Sequence, residues 1–150
     1  MQLAMIGLGR MGGNMVQRLA QGGHEVVVFD QNADAVKASA APGRKGAKDI
    51  ADVARLLTPR RIVWVMVPAG DPVESTLEQL LPHLTRGDIV IEGGNSNFRD
   101  SLRRAETLKV RGIEFVDAGT SGGVWGLKHG YCLMGGASES AFRYCEPIFQ

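Results

Sequence analysis

Residues 3–20 read LAMIGLGRMGGNMVQRLA, and this stretch decides the fold of the chain. Residues 3–6 form a short apolar run that predicts a strand, and residues 11–20 carry apolar side chains at helical spacing. The turn between them has glycine at positions 7, 9 and 12. In such a G-x-G-x-x-G turn, the first glycine bends the chain tightly, the second lets the backbone approach a pyrophosphate, and the third lets the helix pack against the strand. The stretch therefore predicts a strand, a dinucleotide-binding turn and a helix.

The rest of the chain repeats this alternation. Apolar and valine-rich runs predict strands at 25–29, near Ala47, and at 62–67, 89–92, 113–116 and 131–134. Amphipathic or alanine-rich stretches predict helices at 33–41, 49–57, 72–84, from Ser96 or Asn97 to about 110, and from about 139 onward. Repeated βα units predict one α/β domain over residues 1–150, a Rossmann-type doubly wound fold with a mainly parallel sheet and helices on both faces.

Glycine and polar residues follow five of the predicted strands. These segments are GLGRMG at 7–12, Asp30, VPAG at 67–70, EGGNSN at 92–97 and DAGTSGGVWG at 117–126. Because the carboxyl ends of parallel strands lie at one edge of the sheet, and ligands bind there, the five segments predict a single site.

Asp30 ends the second predicted strand, where a carboxylate can accept hydrogen bonds from the hydroxyl groups of an adenosine ribose. The same carboxylate would repel the 2′-phosphate of NADP, and the following Gln31 and Asn32 add no cation, so the segment predicts NAD rather than NADP. The structural alternative for Asp30 is a part in a helix cap at Asn32 or nearby. Such a role would not exclude contact with the ribose. Arg10 has two open interpretations, a phosphate contact or a solvated side chain.

Charge and composition argue against several other classes of function. The formal net charge is +1, from 17 basic and 16 acidic residues, which predicts no nucleic-acid or membrane partner. We interpret the pairs Arg60-Arg61 and Arg103-Arg104 as solvated surface. The two cysteines and three histidines lack the spacing of a metal or redox motif, so we assign no metal. With no signal peptide and no apolar run of bilayer length, we expect a cytoplasmic protein.

Five longer segments resemble 6-phosphogluconate dehydrogenases of the β-hydroxyacid dehydrogenase superfamily, and together they span essentially the whole chain. They are GLGRMGGNM at 7–15, TPRRIVWVMVPAG at 58–70, EGGNSNFRDSLRR at 92–104, GTSGGVWGLKHGYCLMGG at 119–136 and EPIFQ at 146–150. The resemblance is to the cofactor-binding domain of the short bacterial type that prefers NAD. NADP-using members carry an Asn-Arg pair where this chain has Asp30-Gln31, and a lysine where it has Pro68.

The resemblance also implies roles for individual residues. It implies that the pyrophosphate is held by Gly7, Leu8, Gly9, Arg10, Met11 and Gly12. It implies that Asp30, Gln31 and Asn32 border the adenosine ribose, and that Val67, Pro68 and Ala69 line the path of the cofactor. Asn95 is expected to contact both cofactor and substrate. Ser121, Gly122 and Gly123 are expected to contact the sugar acid.

The implied reaction is oxidative decarboxylation of 6-phosphogluconate to ribulose 5-phosphate and CO2 with reduction of NAD, in the pentose phosphate pathway or gluconate utilization. The implied enzyme is a homo-oligomer, namely a dimer. The resemblance also implies that its catalytic lysine and glutamate, and a large helical domain, lie beyond residue 150. We therefore assign no catalytic residue and expect these 150 residues alone to be inactive. Two alternatives stay open: a 3-hydroxyisobutyrate type of dehydrogenase, which lacks GGNS, and a noncatalytic NAD-binding module, in which Asn95 and Ser121 would have no task.

Overall fold

The computed structural model describes residues 2–39, 44–67, 71–93, 98–121, 132–136 and 144. In these ranges strands and helices alternate along the chain. The strands are β1 (Gln2–Ile6), β2 (Glu25–Phe29), β3 (Arg44–Gly46), β4 (Ile62–Val65), β5 (Ile89–Glu92), β6 (Glu114–Ser121) and β7 (Cys132–Gly136). The helices are α1 (Arg10–Gln21), α2 (Ala33–Ser39), α3 (Ile50–Leu56), α4 (Asp71–Leu80) and α5 (Phe98–Val110), and a 3₁₀ turn, Leu81–His83, follows α4.

All seven strands belong to one sheet, in the order β3-β2-β1-β4-β5-β6-β7. The first six run parallel, and β7 pairs antiparallel with β6. After β1 the chain adds strands on one side, and from β4 onward it adds them on the other, which is the doubly wound order. The predicted Rossmann-type fold is therefore confirmed.

The two faces of the sheet bury separate apolar clusters. On one face, Met15, Val16 and Leu19 of α1 pack with alternate strand residues such as Leu3 and Met5. The other face is covered by side chains of α3, α4 and α5, which pack with the intervening strand residues. Every residue of β4 and β5 is buried, as the uninterrupted apolar runs predict for strands covered on both faces. No helix in the described ranges has the length and apolar character needed to cross a membrane.

Five strands differ from their predicted bounds; β1 starts one residue early, at Gln2, and β7 continues two residues further, to Gly136. The third strand is Arg44–Gly46 and not at Ala47, because it pairs only with β2 and has no apolar run to mark it. Strand β4 ends at Val65, two residues early. Strand β6 continues to Ser121, because β7 pairs with residues 117–121. Residues 40 and 41 of the second predicted helix, the proposed caps Ser96 and Asn97, and all of the last predicted helix except the helical Tyr144 lie outside the described residues.

Arg103 is exposed, as the sequence predicts, but the other three arginines of the two pairs are not solvated surface. Arg104 is only 2% exposed and donates from Nε to Glu74 Oε1 at 2.9 Å, while the more exposed Arg103 reaches the same oxygen at 2.6 Å. Arg61 donates to the carbonyl oxygen of Ala54 at 3.0 Å. Arg60 donates to Gly87 O at 2.5 Å, and its guanidinium lies 4.4 Å from the centre of the Tyr144 ring. The prediction was wrong for these three because long cationic side chains can be buried when their head groups are paired.

Candidate cofactor-binding site

The last residues of four parallel strands and Asp117 of β6, a strand that continues to Ser121, lie side by side in the register of the sheet. Ile6 pairs with Phe29 and with Val65, Val65 pairs with Glu92, and Glu92 pairs with Asp117. We call these five residues the strand-end row. Backbone hydrogen bonds extend the pairing by one residue, since Gly7 N donates to Phe29 O at 2.9 Å and Gly93 N donates to Val65 O at 3.0 Å. Segments far apart in the sequence therefore leave the sheet together at its carboxyl edge, where parallel sheets bind ligands.

The glycine turn, residues 7–12, begins against the neighbouring strand. Gly7 has a φ of +100°, a left-handed conformation that side chains disfavour. A Cβ atom at Gly7 would lie 2.8 Å from the carbonyl carbon and oxygen of Met66 and 3.0 Å from the amide nitrogen of Val67. Only glycine allows β1 to turn this close to the chain that follows β4.

The other two glycines of the motif, Gly9 and Gly12, have different roles. A Cβ atom at Gly12 would lie 2.0 Å from Gly7 O, so glycine lets α1 start directly against the end of β1. At Gly9 a Cβ atom would have no atom of the described residues within 4 Å, apart from its own chain neighbours. The packing of the protein thus explains glycine at 7 and 12, whereas at 9 the absent side chain leaves open space beside the backbone.

That open space lies at the N-terminus of α1. Gly9 is the N-cap residue, contributes no side-chain hydrogen bond, and no acidic residue occupies the first turn. The first amide groups of a helix have no acceptor within the helix, and the helix dipole makes this end positive. The backbone of Arg10, Met11 and Gly12 therefore offers donors that fit a pyrophosphate. The structure describes the backbone of Arg10 and Met11 but not their side chains.

Asp30 follows β2 and connects two loops at this edge. Its Oδ2 accepts a hydrogen bond from Leu8 N at 2.7 Å, and its Oδ1 accepts one from Asn32 N at 2.9 Å. Asn32 Oδ1 in turn accepts from Asp34 N at 2.9 Å and caps α2, so the cap is the side chain of Asn32 itself. An ionised carboxylate has about four acceptor positions, so about two on Asp30 remain beyond the hydrogen bonds from the described residues. Gln31 is exposed beside it.

The remaining predicted site residues are only partly covered by the structure. Val67 is half-buried and lies beside Gly7, as described above. Ser121 ends β6 and pairs with Cys132, four residues past Asp117 and hence about 13 Å further along the strand. The structure therefore does not bring Ser121 to the strand-end row. Five other predicted contact residues lie outside the described residues, namely Pro68, Ala69, Asn95, Gly122 and Gly123.

The sequence predicts no role for two features of this edge. One is the amide of Leu8, whose bond to Asp30 no side-chain pattern could reveal. The other is Glu92, a member of the strand-end row that is 0% exposed. Alternation along β5 directs Glu92 to the same face as Val90, which is the face covered by α3, α4 and α5. A glutamate that ends an apolar strand directly before glycine was the available signal, since glutamate is rarely fully buried.

Comparison with known proteins gives the family. Residues 2–150 match the family described as the NAD binding domain of 6-phosphogluconate dehydrogenase. The chain is 46% identical over 149 residues to a Haloferax volcanii protein named 6-phosphogluconate dehydrogenase, NAD(+)-dependent, decarboxylating. That match covers 99% of this chain and 49% of the relative, so the chain spans about half the length of this curated protein.

Two solved structures share the fold. Plasmodium falciparum 6-phosphogluconate dehydrogenase, described as apo and in complexes with NADP+ and with 6-phosphogluconate, has a TM-score of 0.92 and 26% identity over 99% of this chain and 33% of that one. Mycobacterium tuberculosis 3-hydroxyisobutyrate dehydrogenase has a TM-score of 0.83 and 25% identity over 99% of this chain and 50% of that one. The former is the more similar of the two by both measures. This chain therefore belongs to the family of NAD binding domains of 6-phosphogluconate dehydrogenase.

Proposed function

We propose that this chain binds NAD in preference to NADP and forms the cofactor-binding part of a decarboxylating 6-phosphogluconate dehydrogenase. The observation that carries the cofactor preference is the position of Asp30 next to the glycine turn, 2.7 Å from the amide of Leu8. The name of the Haloferax volcanii relative, which specifies NAD(+), agrees with this preference.

Different residues of the site contact different parts of the cofactor. The amide groups at the start of α1 bind the pyrophosphate, and glycine at position 9 lets it approach the backbone. The carboxylate of Asp30 accepts hydrogen bonds from the adenosine ribose and disfavours a 2′-phosphate, for which the exposed Gln31 supplies no positive charge. Val67, Pro68 and Ala69 line the path toward the nicotinamide. When bound, the nicotinamide supplies the acceptor for a hydride.

The proposed substrate is 6-phosphogluconate, oxidised at C3 and decarboxylated to ribulose 5-phosphate. The motifs EGGNSN and TSGG support it, and so do the names of the relatives. We assign the contacts to Asn95, Ser121, Gly122 and Gly123. The extension of β6 beyond the strand-end row supports this division, because it separates Ser121 from the turn that holds the phosphates.

The whole enzyme requires more than the contacts made here. Since the chain spans about half of its Haloferax volcanii relative, we propose that its own residues bind the cofactor and that turnover needs residues matching the remainder. We further propose a cytoplasmic homo-oligomer with no nucleic-acid or membrane partner, on the basis of the family resemblance and the balanced charge.

Calorimetric titration with NAD and, separately, NADP tests the cofactor proposal. We expect NAD to bind at least about tenfold more tightly, a difference of about 1.4 kcal/mol. Tighter binding of NADP would overturn the preference, and a folded chain that binds neither nucleotide would overturn the cofactor site.

The substrate proposal needs a separate measurement on the NAD-saturated chain. Backbone NMR resonances of Asn95 and Ser121 should shift on addition of 6-phosphogluconate and stay in place on addition of 3-hydroxyisobutyrate. Shifts with 3-hydroxyisobutyrate alone would indicate the other dehydrogenase class. If neither acid shifts them, the substrate assignment of these residues is wrong.

A further inference from the structure

We infer that Asp30 is a positioning residue for the glycine turn in addition to its ribose contact, so that the residue proposed to select NAD also sets the shape of the turn that binds the phosphates. This inference rests on the proposed cofactor site. It concerns a contact within the protein, between a carboxylate and a backbone amide, that exists without any ligand.

The Asp30 carboxylate bridges two backbone amides. Both oxygens are engaged, one by Leu8 N at 2.7 Å and the other by Asn32 N at 2.9 Å. Hydrogen bonds to an ionised acceptor are shorter and stronger than those between neutral groups. The carboxylate therefore ties the glycine turn to the loop between β2 and α2, at the edge where both meet the ligand.

Other contacts hold the residues on either side of Leu8. Gly7 is fixed by its bond to Phe29 O and by close backbone contact with Met66. Gly9 belongs to α1 through the bond from Gly13 N to Gly9 O at 2.7 Å, and its other side is open. Leu8 is the link between these two parts.

Both the side chain and the backbone of Leu8 are held in place. Its side chain is buried in the cluster on the α1 face of the sheet, and its amide is held by Asp30. With this amide already engaged, the pyrophosphate must use the donors after it, at the start of α1. Loss of the Asp30 bond would free the Leu8 amide and let the path between Gly7 and Gly9 change, which alters the approach of the phosphates.

Substitution at position 30 has consequences that the ribose alone does not account for. Asparagine has a single side-chain acceptor oxygen and an NH2 group, so it can satisfy only one of the two amides. Alanine satisfies neither. A change intended only to admit NADP would therefore also loosen the phosphate-binding turn.

A cycle of variants and ligands separates the two roles of Asp30. The ligands are NAD and an NAD analogue whose adenosine ribose lacks both hydroxyl groups. We expect Asp30→Ala to weaken binding of the analogue about tenfold, which corresponds to the loss of one hydrogen bond to a charged group, and Asp30→Asn to weaken it less. Equal binding of the analogue by the original chain and by Asp30→Ala would show that Asp30 acts through the ribose alone and would overturn the inference.

Asp34→Asn is the matched control. It removes the same charge from an exposed residue at the start of α2, whose carboxylate is given no contact in the proposed site. We expect this variant to bind both ligands as the original chain does. If Asp34→Asn weakened the analogue as much as Asp30→Ala, a general effect of charge would replace the positioning role.

Hydrogen exchange of the Leu8 amide gives a readout that needs no ligand. Exchange should be slow in the original chain and in Asp34→Asn, and about tenfold or more faster in Asp30→Ala. The Gly13 amide, which is bonded within α1, should exchange at the same rate in all three and so report that the helix is intact. Unchanged exchange at Leu8 would overturn the positioning role, whether or not the original chain binds NAD. Failure of the original chain to bind NAD would overturn only the proposed function.

Discussion

The carbonyl oxygen of Gly7 lies 2.0 Å from the point where residue 12 would carry a Cβ atom. A methyl group cannot occupy this point unless α1 moves away from the end of β1. We expect Gly12→Ala to lower the free energy of unfolding by about 3 kcal/mol, the upper part of the usual range for overpacked sites. Urea denaturation followed by circular dichroism measures the difference.

Gly13→Ala is the control for that substitution. A Cβ atom at Gly13 would meet Leu8 O at 3.5 Å, an ordinary contact, and alanine is the better helix former by about 1 kcal/mol. This variant should be as stable as the original chain or more stable. If Gly12→Ala and Gly13→Ala had the same stability, the close approach of α1 to β1 would not be required.

Gly9→Ala should separate binding from folding. The residue has a φ of −62° and ψ of −173°, which alanine adopts without strain, and within the described part of the chain no atom beyond its neighbours would contact the added methyl group. The thermal midpoint should change little, while the methyl group fills space assigned to the pyrophosphate. We expect calorimetry to find NAD affinity reduced roughly 10- to 100-fold. Undiminished affinity would place the phosphates elsewhere.

Gln31→Arg should improve NADP binding without disturbing the turn. Gln31 is exposed, and Asp30 keeps both of its backbone hydrogen bonds in this variant. An added guanidinium can pair with the 2′-phosphate, so we expect NADP affinity to rise about tenfold, with NAD affinity nearly unchanged.

The control for Gln31→Arg lies at the other end of α1. Gln21→Arg makes the same chemical change at an exposed residue of the last turn, roughly 17 Å from the start of the helix. It should leave NADP affinity as it was. An equal gain from Gln21→Arg would mean that net charge, and not the ribose pocket, governs the effect.

Glu74 should make stability depend on acid pH. Burial raises the pKa of Glu74, but the hydrogen bonds from Arg103 and Arg104 outweigh it, so the pKa lies below the ordinary value of 4.5. A lowered pKa contributes stability that is present above pH 4.5 and is lost as the pH falls through the lower native value. Unfolding of the original chain, measured in urea from pH 7 down to pH 3, should reveal this loss.

Glu74→Gln should flatten that part of the pH profile. At pH 7 we expect it to be less stable by about 2 kcal/mol, because the buried Arg104 loses its charged acceptor. Glu78→Gln, an exposed residue of the same helix, is the control and should keep the profile of the original chain. A profile for Glu74→Gln that matched the control would rule out the role of the cluster.

Local patterns predicted the parts of the fold that have local causes. The glycine turn follows from the spacing of Gly7, Gly9 and Gly12, and β4 follows from its apolar run. Strand β3 was misplaced because an edge strand with polar side chains has no such run. The length of β6 was missed because residues 117–121 are held by a strand that comes later in the chain.

The sequence predicted side chains of the cofactor-binding site, but it did not predict the hydrogen bonds that these side chains make within the protein. Asp30 was identified from its place at the end of β2, whereas its bond to Leu8 depends on the path of a backbone that the sequence does not specify. The burial of Arg104 had a signal that went unused, since Arg104 precedes Leu108 by one helical turn and lies on the same face. Its partner Glu74 is 30 residues away, on a different helix.

The strand-end row has a consequence for the order in which the protein folds. Its members come from positions 6, 29, 65, 92 and 117, so each neighbouring pair is joined only after a crossover connection has closed. Contacts of such long sequence separation form slowly, because the loop entropy must be overcome first. The nucleotide site is thus complete only after the crossover connections between its strands have closed. A nucleotide that binds only the folded chain raises the free energy of unfolding. The increase grows with the logarithm of the ligand concentration once this exceeds the dissociation constant.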